Sequence, residues 1–135
     1  MIVVLCDGVW DIVHIGHILH LEAAKKMGDI LWVSVTEDVH VRKGPGRPIY
    51  PQEQRRAVIK SIRYVDHAIT TSGMMEALEF VKPSILVKGA DYNRGLSDYH
   101  ENYCRKHGIE IRYTTTPKLS VFDAINEASK RDRQV

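Results

Sequence analysis

The sequence predicts an α/β domain: a doubly wound parallel sheet of about five strands with helices on both faces. Short β-branched runs recur along the chain. Amphipathic helical patterns separate those runs, as strand-helix-strand units require. The run at residues 2–6 also turns through Cys6-Asp7-Gly8 toward a helix headed by His14-Ile15-Gly16-His17, a placement that suits an anion site.

Strands are expected at residues 2–6, 30–35, 85–87 and 109–113, with a brief one at 65–69. The first helix carries Ile15, Ile18, Leu19, Ala23 and Met27 at steps of three and four and stops at Gly28. That spacing predicts an apolar stripe along the first strand. The second helix starts at Pro51, has Glu53 in its opening turn, carries Ala57, Val58 and Ile62 on one face, and is expected to end near Tyr64. A third covers residues 74–81 and is stopped by Lys82-Pro83. A fourth runs from Ser97-Asp98 to Gly108, and the last covers roughly residues 121–130, leaving a basic tail that reads as a frayed terminus.

At 135 residues and 44% hydrophobic content, the chain fits a single domain, 1–135, with its own core. A formal charge of +2 does not indicate a nucleic-acid-coating surface, so no nucleic-acid partner is expected. No apolar run approaches the roughly 20 residues of a membrane span, and the N-terminus enters a strand without a charged prelude. Cys6 and Cys104 lack the spacing of a zinc or redox pair, so reduced thiols and a cytoplasmic, unprocessed protein are expected.

In a sheet of this kind ligands bind beyond the carboxyl ends of the strands, where connections diverge. The loops at residues 6–17, 36–48 and 88–96 should meet there. A helix head offers unpaired N–H groups and the positive end of its dipole. Gly16 allows close backbone approach, and His14 and His17 can flank one anion from the first helical turn. In the second loop, Arg42-Lys43-Gly44-Pro45-Gly46-Arg47-Pro48 concentrates cations on a segment barred from helix or strand. It reads as a polyphosphate clamp or as a solvated basic loop. Arg55, opening the next helix, is the expected guanidinium for a phosphate, with Arg56 facing water. In the third, Lys88 suits a phosphate, and Asp91 suits a sugar hydroxyl or the orientation of a base. His20, His40, His67, His100 and His107 have no partner at a telling sequence distance and read as surface or satisfied polar residues.

With these residues assembled, the chain resembles the nucleotidyltransferase superfamily that carries His-x-Gly-His at the head of its first helix and has a Rossmann-like fold. The likeness runs through residues 6–17, Arg47-Pro48, Glu53-Gln54-Arg55 and Tyr64-Val65-Asp66. Val87-Lys88-Gly89-Ala90-Asp91-Tyr92 is similar to the Val-Lys-Gly-Gly-Asp-Tyr segment of heptose 1-phosphate adenylyltransferases. Glycerol-3-phosphate cytidylyltransferases share the histidine motif but usually differ at the position of Lys88. Where the family commonly has Ser-Thr-Thr before the last helix, this chain has Pro117-Lys118-Leu119-Ser120, which leaves Ser120 as the hydroxyl and Lys118 as a substitute charge.

The resemblance implies transfer of a nucleotidyl group, AMP from ATP first, to a sugar phosphate such as heptose 1-phosphate, with release of pyrophosphate. The alternatives are a CTP-dependent polyol-phosphate cytidylyltransferase and a non-catalytic nucleotide binder of the same fold. It implies His14 and His17 as donors to the transferring phosphate, with Lys43 and Arg55 holding triphosphate or acceptor. Gly8, Val9, Trp10, Gly16, Lys88, Asp91, Lys118 and Ser120 would line the nucleotide pocket. Mg²⁺ is expected to bridge triphosphate oxygens, with Asp11 either beside the metal or bracing its loop. A homodimer is implied as well, with Tyr64-Val65-Asp66 near the interface.

Overall fold

A computed structural model describes residues 1–89, 96–115 and 121–133. Its strands are β1 (Val3–Gly8), β2 (Ile30–Thr36), β3 (His67–Thr71), β4 (Ile85–Lys88) and β5 (Glu110–Tyr113). The helices are α1 (Ile15–Lys25), α2 (Gln52–Lys60), α3 (Met74–Val81), α4 (Asp98–Lys106) and α5 (Val121–Arg133). All strand pairs are parallel and the order is β3-β2-β1-β4-β5. The chain therefore steps outward from β1 to β3 on one side and from β4 to β5 on the other. The switch point falls between β1 and β4, where Cys6 pairs with Val87.

Alternation along the strands divides the core into two layers. Val4, Cys6, Leu31, Val33, Val35, Ile85 and Val87 face Leu21 and Ala24 of α1 and Ile59 of α2. Leu5 and Leu86 face Ala77 and Leu78 of α3 and Cys104 of α4, with Trp32 and Ile111 packed against them. A parallel sheet covered on both faces keeps nearly continuous apolar strands, and Val4, Leu5 and Cys6 are all wholly buried. Both cysteines are free thiols in these layers, and burial pushes Cys6 up to about 12, which keeps it protonated at neutral pH.

Two helices present other faces than their apolar spacing predicts. In α1 the buried positions are Gly16, Leu21 and Ala24, while Ile15 is 59% exposed and Leu19 is 42% exposed. The helix is rotated so that His17 and His20 lie on its half-buried side. In α2 Ala57 and Val58 face solvent, and the inward stripe is Arg55, Ile59 and Ile62. This helix ends at Lys60 rather than Tyr64, because the Ser61 hydroxyl donates to the Val58 carbonyl and the chain turns. Tyr64 then donates to Glu22 at 2.6 Å, and Asp66 accepts from Lys25 and from the Leu31 N–H. The brief third strand lies two residues later than expected, and α5 continues through Arg133, so the tail is helical at least that far.

The first helix ends at Lys25, ahead of Gly28, which is a glycine for want of room. A Cβ there would lie 2.6 Å from the Val4 side chain and 2.8 Å from the Ile2 carbonyl. Gly28→Ala should therefore lower unfolding stability by about 2 kcal/mol, as overpacking against backbone does, measured by urea denaturation.

Candidate active site at the sheet switch point

The head of α1 is capped by its own histidines. His14 is the N-cap, in extended backbone at φ −137°. Its Nδ1 accepts the Gly16 N–H at 3.0 Å, and the His14 N–H donates to His17 Nδ1 at 3.1 Å. A neutral imidazole has one donor and one acceptor nitrogen. With Nδ1 accepting on both rings, the proton sits on Nε2 of each. The ring centroids are 4.0 Å apart, so two N–H donors of matched tautomer stand side by side at a positive helix end.

Behind them, Trp10 is held in left-handed backbone at φ 58°, a conformation a bulky residue adopts only under constraint. Its indole N–H donates to the Ser34 carbonyl at 2.9 Å, and its ring meets that of His17 edge-on at 5.5 Å. Gly8 makes room for this ring, since a Cβ at that position would lie 3.2 Å from it. Trp10 also borders an apolar cleft of roughly 150 Å³ shared with Ile12, Val13, Tyr50, Gln54, Arg55 and Val58.

Across the switch point, the Lys88 ammonium donates to the Asp7 carbonyl at 3.2 Å and lies 3.9 Å from the Asp7 carboxylate. Burial pushes the Asp7 carboxyl above its ordinary range, against the Lys88 charge and the Ser34 hydroxyl, which act to lower it. Among the described residues, Asp7 Oδ1 has no hydrogen-bond partner. Lys88 is thus held against Asp7 at the end of β4, and Asp7 is a residue that the sequence reading did not single out.

Arg55 has other work than that expected of it, and Asp11 takes one of the two roles left open for it. Arg55 is 2% exposed and donates to the Tyr50 carbonyl, the Val9 carbonyl and the Asp38 carboxylate, at 2.8, 2.8 and 2.6 Å. It clamps the loop after β1, the loop after β2 and the start of α2 together, and its fork is turned away from solvent. The Asp11 side chain is wholly buried. It accepts the N–H groups of Ile49 and Tyr50, and Arg47 donates to the Asp11 carbonyl. Of the two roles open to Asp11, loop brace and metal ligand, its partners fill the first. These two residues bring the first and second loops together, as the topology predicts. Val9 contributes its carbonyl to the Arg55 clamp, Gly16 is buried in the first turn of α1, and Lys43 is exposed on the basic loop.

Asp91, Lys118 and Ser120 lie outside the described residues. Among the described residues no group of three or more His, Cys, Asp or Glu side chains is placed to hold a metal ion, and no helix is long and apolar enough to cross a membrane. The residues missed at the sequence level are Asp7, Ser34, Asp38 and Thr114. Asp38 carried no spacing signal toward Arg55, 17 positions away.

Two outcomes follow from this geometry. Arg55→Ala should cost about 2–4 kcal/mol of stability, because the carbonyls of Val9 and Tyr50 lose a donor, Asp38 its partner and the core a buried side chain, whereas a phosphate-gripping arginine would leave the melting curve in place. For Asp7 the folded carboxyl holds its proton to higher pH than the unfolded one, so between the ordinary carboxylate pKa near 3.8 and the raised folded value the native state binds more protons. Stability should fall as pH rises through that window and level off above it. In Asp7→Asn this component of the slope should be absent from unfolding measurements made between about pH 4 and 7.

A family model described as cytidylyltransferase-like matches residues 5–128. The bifunctional protein HldE of Alcanivorax borkumensis is 39% identical over 114 residues, which cover 82% of this chain and 24% of that protein. The chain thus spans about a quarter of the length of that relative. An FAD synthase from Aciduliprofundum boonei is 36% identical over 125 residues, covering 91% of this chain and 83% of that one. Among solved structures, a lipopolysaccharide core biosynthesis protein from Thermoplasma volcanium superimposes with a TM-score of 0.74 at 34% identity, covering 87% of this chain and 99% of its own. Two capping imidazoles at the switch point of a β3-β2-β1-β4-β5 sheet and this breadth of likeness agree, and the chain belongs to the cytidylyltransferase-like family of nucleotidyltransferases.

Proposed function

We propose that this domain transfers the nucleotidyl group of a nucleoside triphosphate, ATP in preference to CTP, to the phosphate of a sugar phosphate such as heptose 1-phosphate. The observation that carries the reading is the pair of Nε2–H donors at the head of α1. An acceptor phosphate oxygen attacks the α-phosphorus in line. A bond forms between them as the bond from the α-phosphorus to the bridging oxygen breaks, and pyrophosphate leaves with the electron pair. The nucleophile is already an anion, so the residues supply position and charge stabilisation rather than a general base. His14 and His17 donate to the non-bridging oxygens as charge gathers there. Lys88 offers an ammonium from the other wall, and Lys43 reaches the triphosphate from its loop. Mg²⁺ carried on triphosphate oxygens and water would neutralise charge on the leaving group, which suits a site without a carboxylate cage among its described residues.

The HldE likeness and the Lys88-Gly89-Ala90-Asp91-Tyr92 segment favour ATP and a sugar phosphate. The cytidylyltransferase-like description of the family model supports a second reading, CTP with a polyol phosphate. Pyrophosphate release with Mg²⁺ separates them when ATP and CTP are each crossed with heptose 1-phosphate, other sugar 1-phosphates, glycerol 3-phosphate and flavin mononucleotide. His17→Ala should lose at least about 100-fold in kcat and about 1 kcal/mol of stability, since it removes a donor and a cap together. His17→Asn, whose amide oxygen can still accept the His14 N–H, should lose the rate and keep the stability. Turnover at the parent rate in both variants would remove His17 from the chemistry.

A further inference from the structure

His20 stands one turn beyond His17 on the half-buried side of α1, and its ring has two neighbours that sequence spacing does not reveal. One is Trp10, whose indole lies 6.2 Å from the imidazole centroid at a tilt of 35°. The other is Thr114, whose Oγ1 is 2.7 Å from His20 Nδ1 although 94 positions separate the two residues. Thr114 is 5% exposed, immediately follows β5, and donates its backbone N–H to the Lys88 carbonyl at 2.9 Å.

These contacts make a path across the switch-point crevice. One wall is α1, with the His14 and His17 donors and Trp10 between His17 and His20. The opposite wall is the end of β4, where Lys88 is fixed through its carbonyl to Thr114 and through its ammonium to Asp7. The His20–Thr114 contact joins the walls by a directional polar bond. An apolar pair would pack the same space without fixing a distance, whereas a buried hydroxyl must meet its partner at hydrogen-bond geometry.

We propose that His20 is a positioning residue: through Nδ1 and Thr114 it sets the separation between the imidazole donors on α1 and Lys88 on β4, and thereby the affinity for the nucleoside triphosphate. The inference rests on the nucleotidyl-transfer reading of the site. It concerns the span of the crevice, so it bears on binding more than on the chemical step, for which His14 and His17 remain in place.

The test uses the full chain and MgATP, with calorimetry for binding, pyrophosphate release for kcat and KM, and thermal melting as the control on folding. An asparagine amide occupies the place of Nδ1, while a glutamine amide reaches the place of Nε2. His20→Asn should therefore bind MgATP within about threefold of the parent, and His20→Leu and His20→Gln should bind about tenfold or more weakly, with KM raised and kcat little changed. Thr114→Val should show the same loss, and His20→Leu combined with Thr114→Val should lose no more than either alone. Parent-like binding by His20→Leu, equal behaviour of His20→Asn and His20→Gln, or additive losses in the double variant would each overturn the assignment. Where His20→Leu fails to fold, the Asn and Gln variants together with Thr114→Val decide the matter. A parent that binds neither MgATP nor MgCTP overturns the nucleotidyl-transfer reading along with this one. A parent that binds and turns over, beside a His20→Leu variant that does so equally well, overturns the His20 role alone.

Discussion

A helix that begins inside a crevice cannot leave its first amide groups to water, and the way this chain meets that constraint shapes its site. The Gly16 N–H goes to His14, and the His14 N–H goes to His17. A serine or aspartate cap would satisfy the backbone equally well. Imidazole adds a consequence, because a ring that accepts at Nδ1 must carry its neutral proton at Nε2. The local requirement of helix initiation therefore presents two N–H donors, side by side, where the positive end of the helix already favours an anion. In the same helix His17 and His20 lie on the half-buried side, and Ile15 and Leu19 are left exposed.

The loops around this helix are held by polar braces as well as by the apolar packing of Trp10 and Val13. Arg55 occupies a core position of α2 between the loops after β1 and β2, and its guanidinium finds acceptors from Val9, Tyr50 and Asp38. Asp11 takes amide groups from residues 49 and 50. Loops that approach a polyphosphate cannot be buried in hydrocarbon, so they need polar braces with fixed geometry, and a planar guanidinium with five donors suits that task. Arg42 and Lys43, by contrast, lie exposed on the basic loop.

The sheet was legible because each strand is a β-branched run bounded by turn residues, and its covering helices carry stop signals that act locally, such as Lys82-Pro83 after α3 and Gly108 after α4. The histidine pair was legible because both members sit within four residues. What escaped the sequence depends on long-range pairing. Apolar spacing in α1 fits more than one arc of the helix surface, and only packing against β1 and β2 selects Leu21 and Ala24. An arginine that braces a loop and one that grips a phosphate are the same residue at the same place in a helix, so Arg55 could not be assigned by type. Thr114 and Asp38 meet His20 and Arg55 across 94 and 17 positions, separations at which local pattern carries no information.

Charge at the switch point is balanced in a way that bears on how an anion would be held. The ammonium of Lys88 is buried next to a carboxyl that burial itself drives toward neutrality. The Lys88 charge acts on that carboxyl in the opposite direction and favours its ionised form. Negative charge brought close to Asp7 would favour the protonated form instead. The Nε2–H donors of His14 and His17 are set by the helix cap instead, so the α1 side of the switch point is ordered by hydrogen-bond geometry and the β4 side by the balance of charge between Asp7 and Lys88.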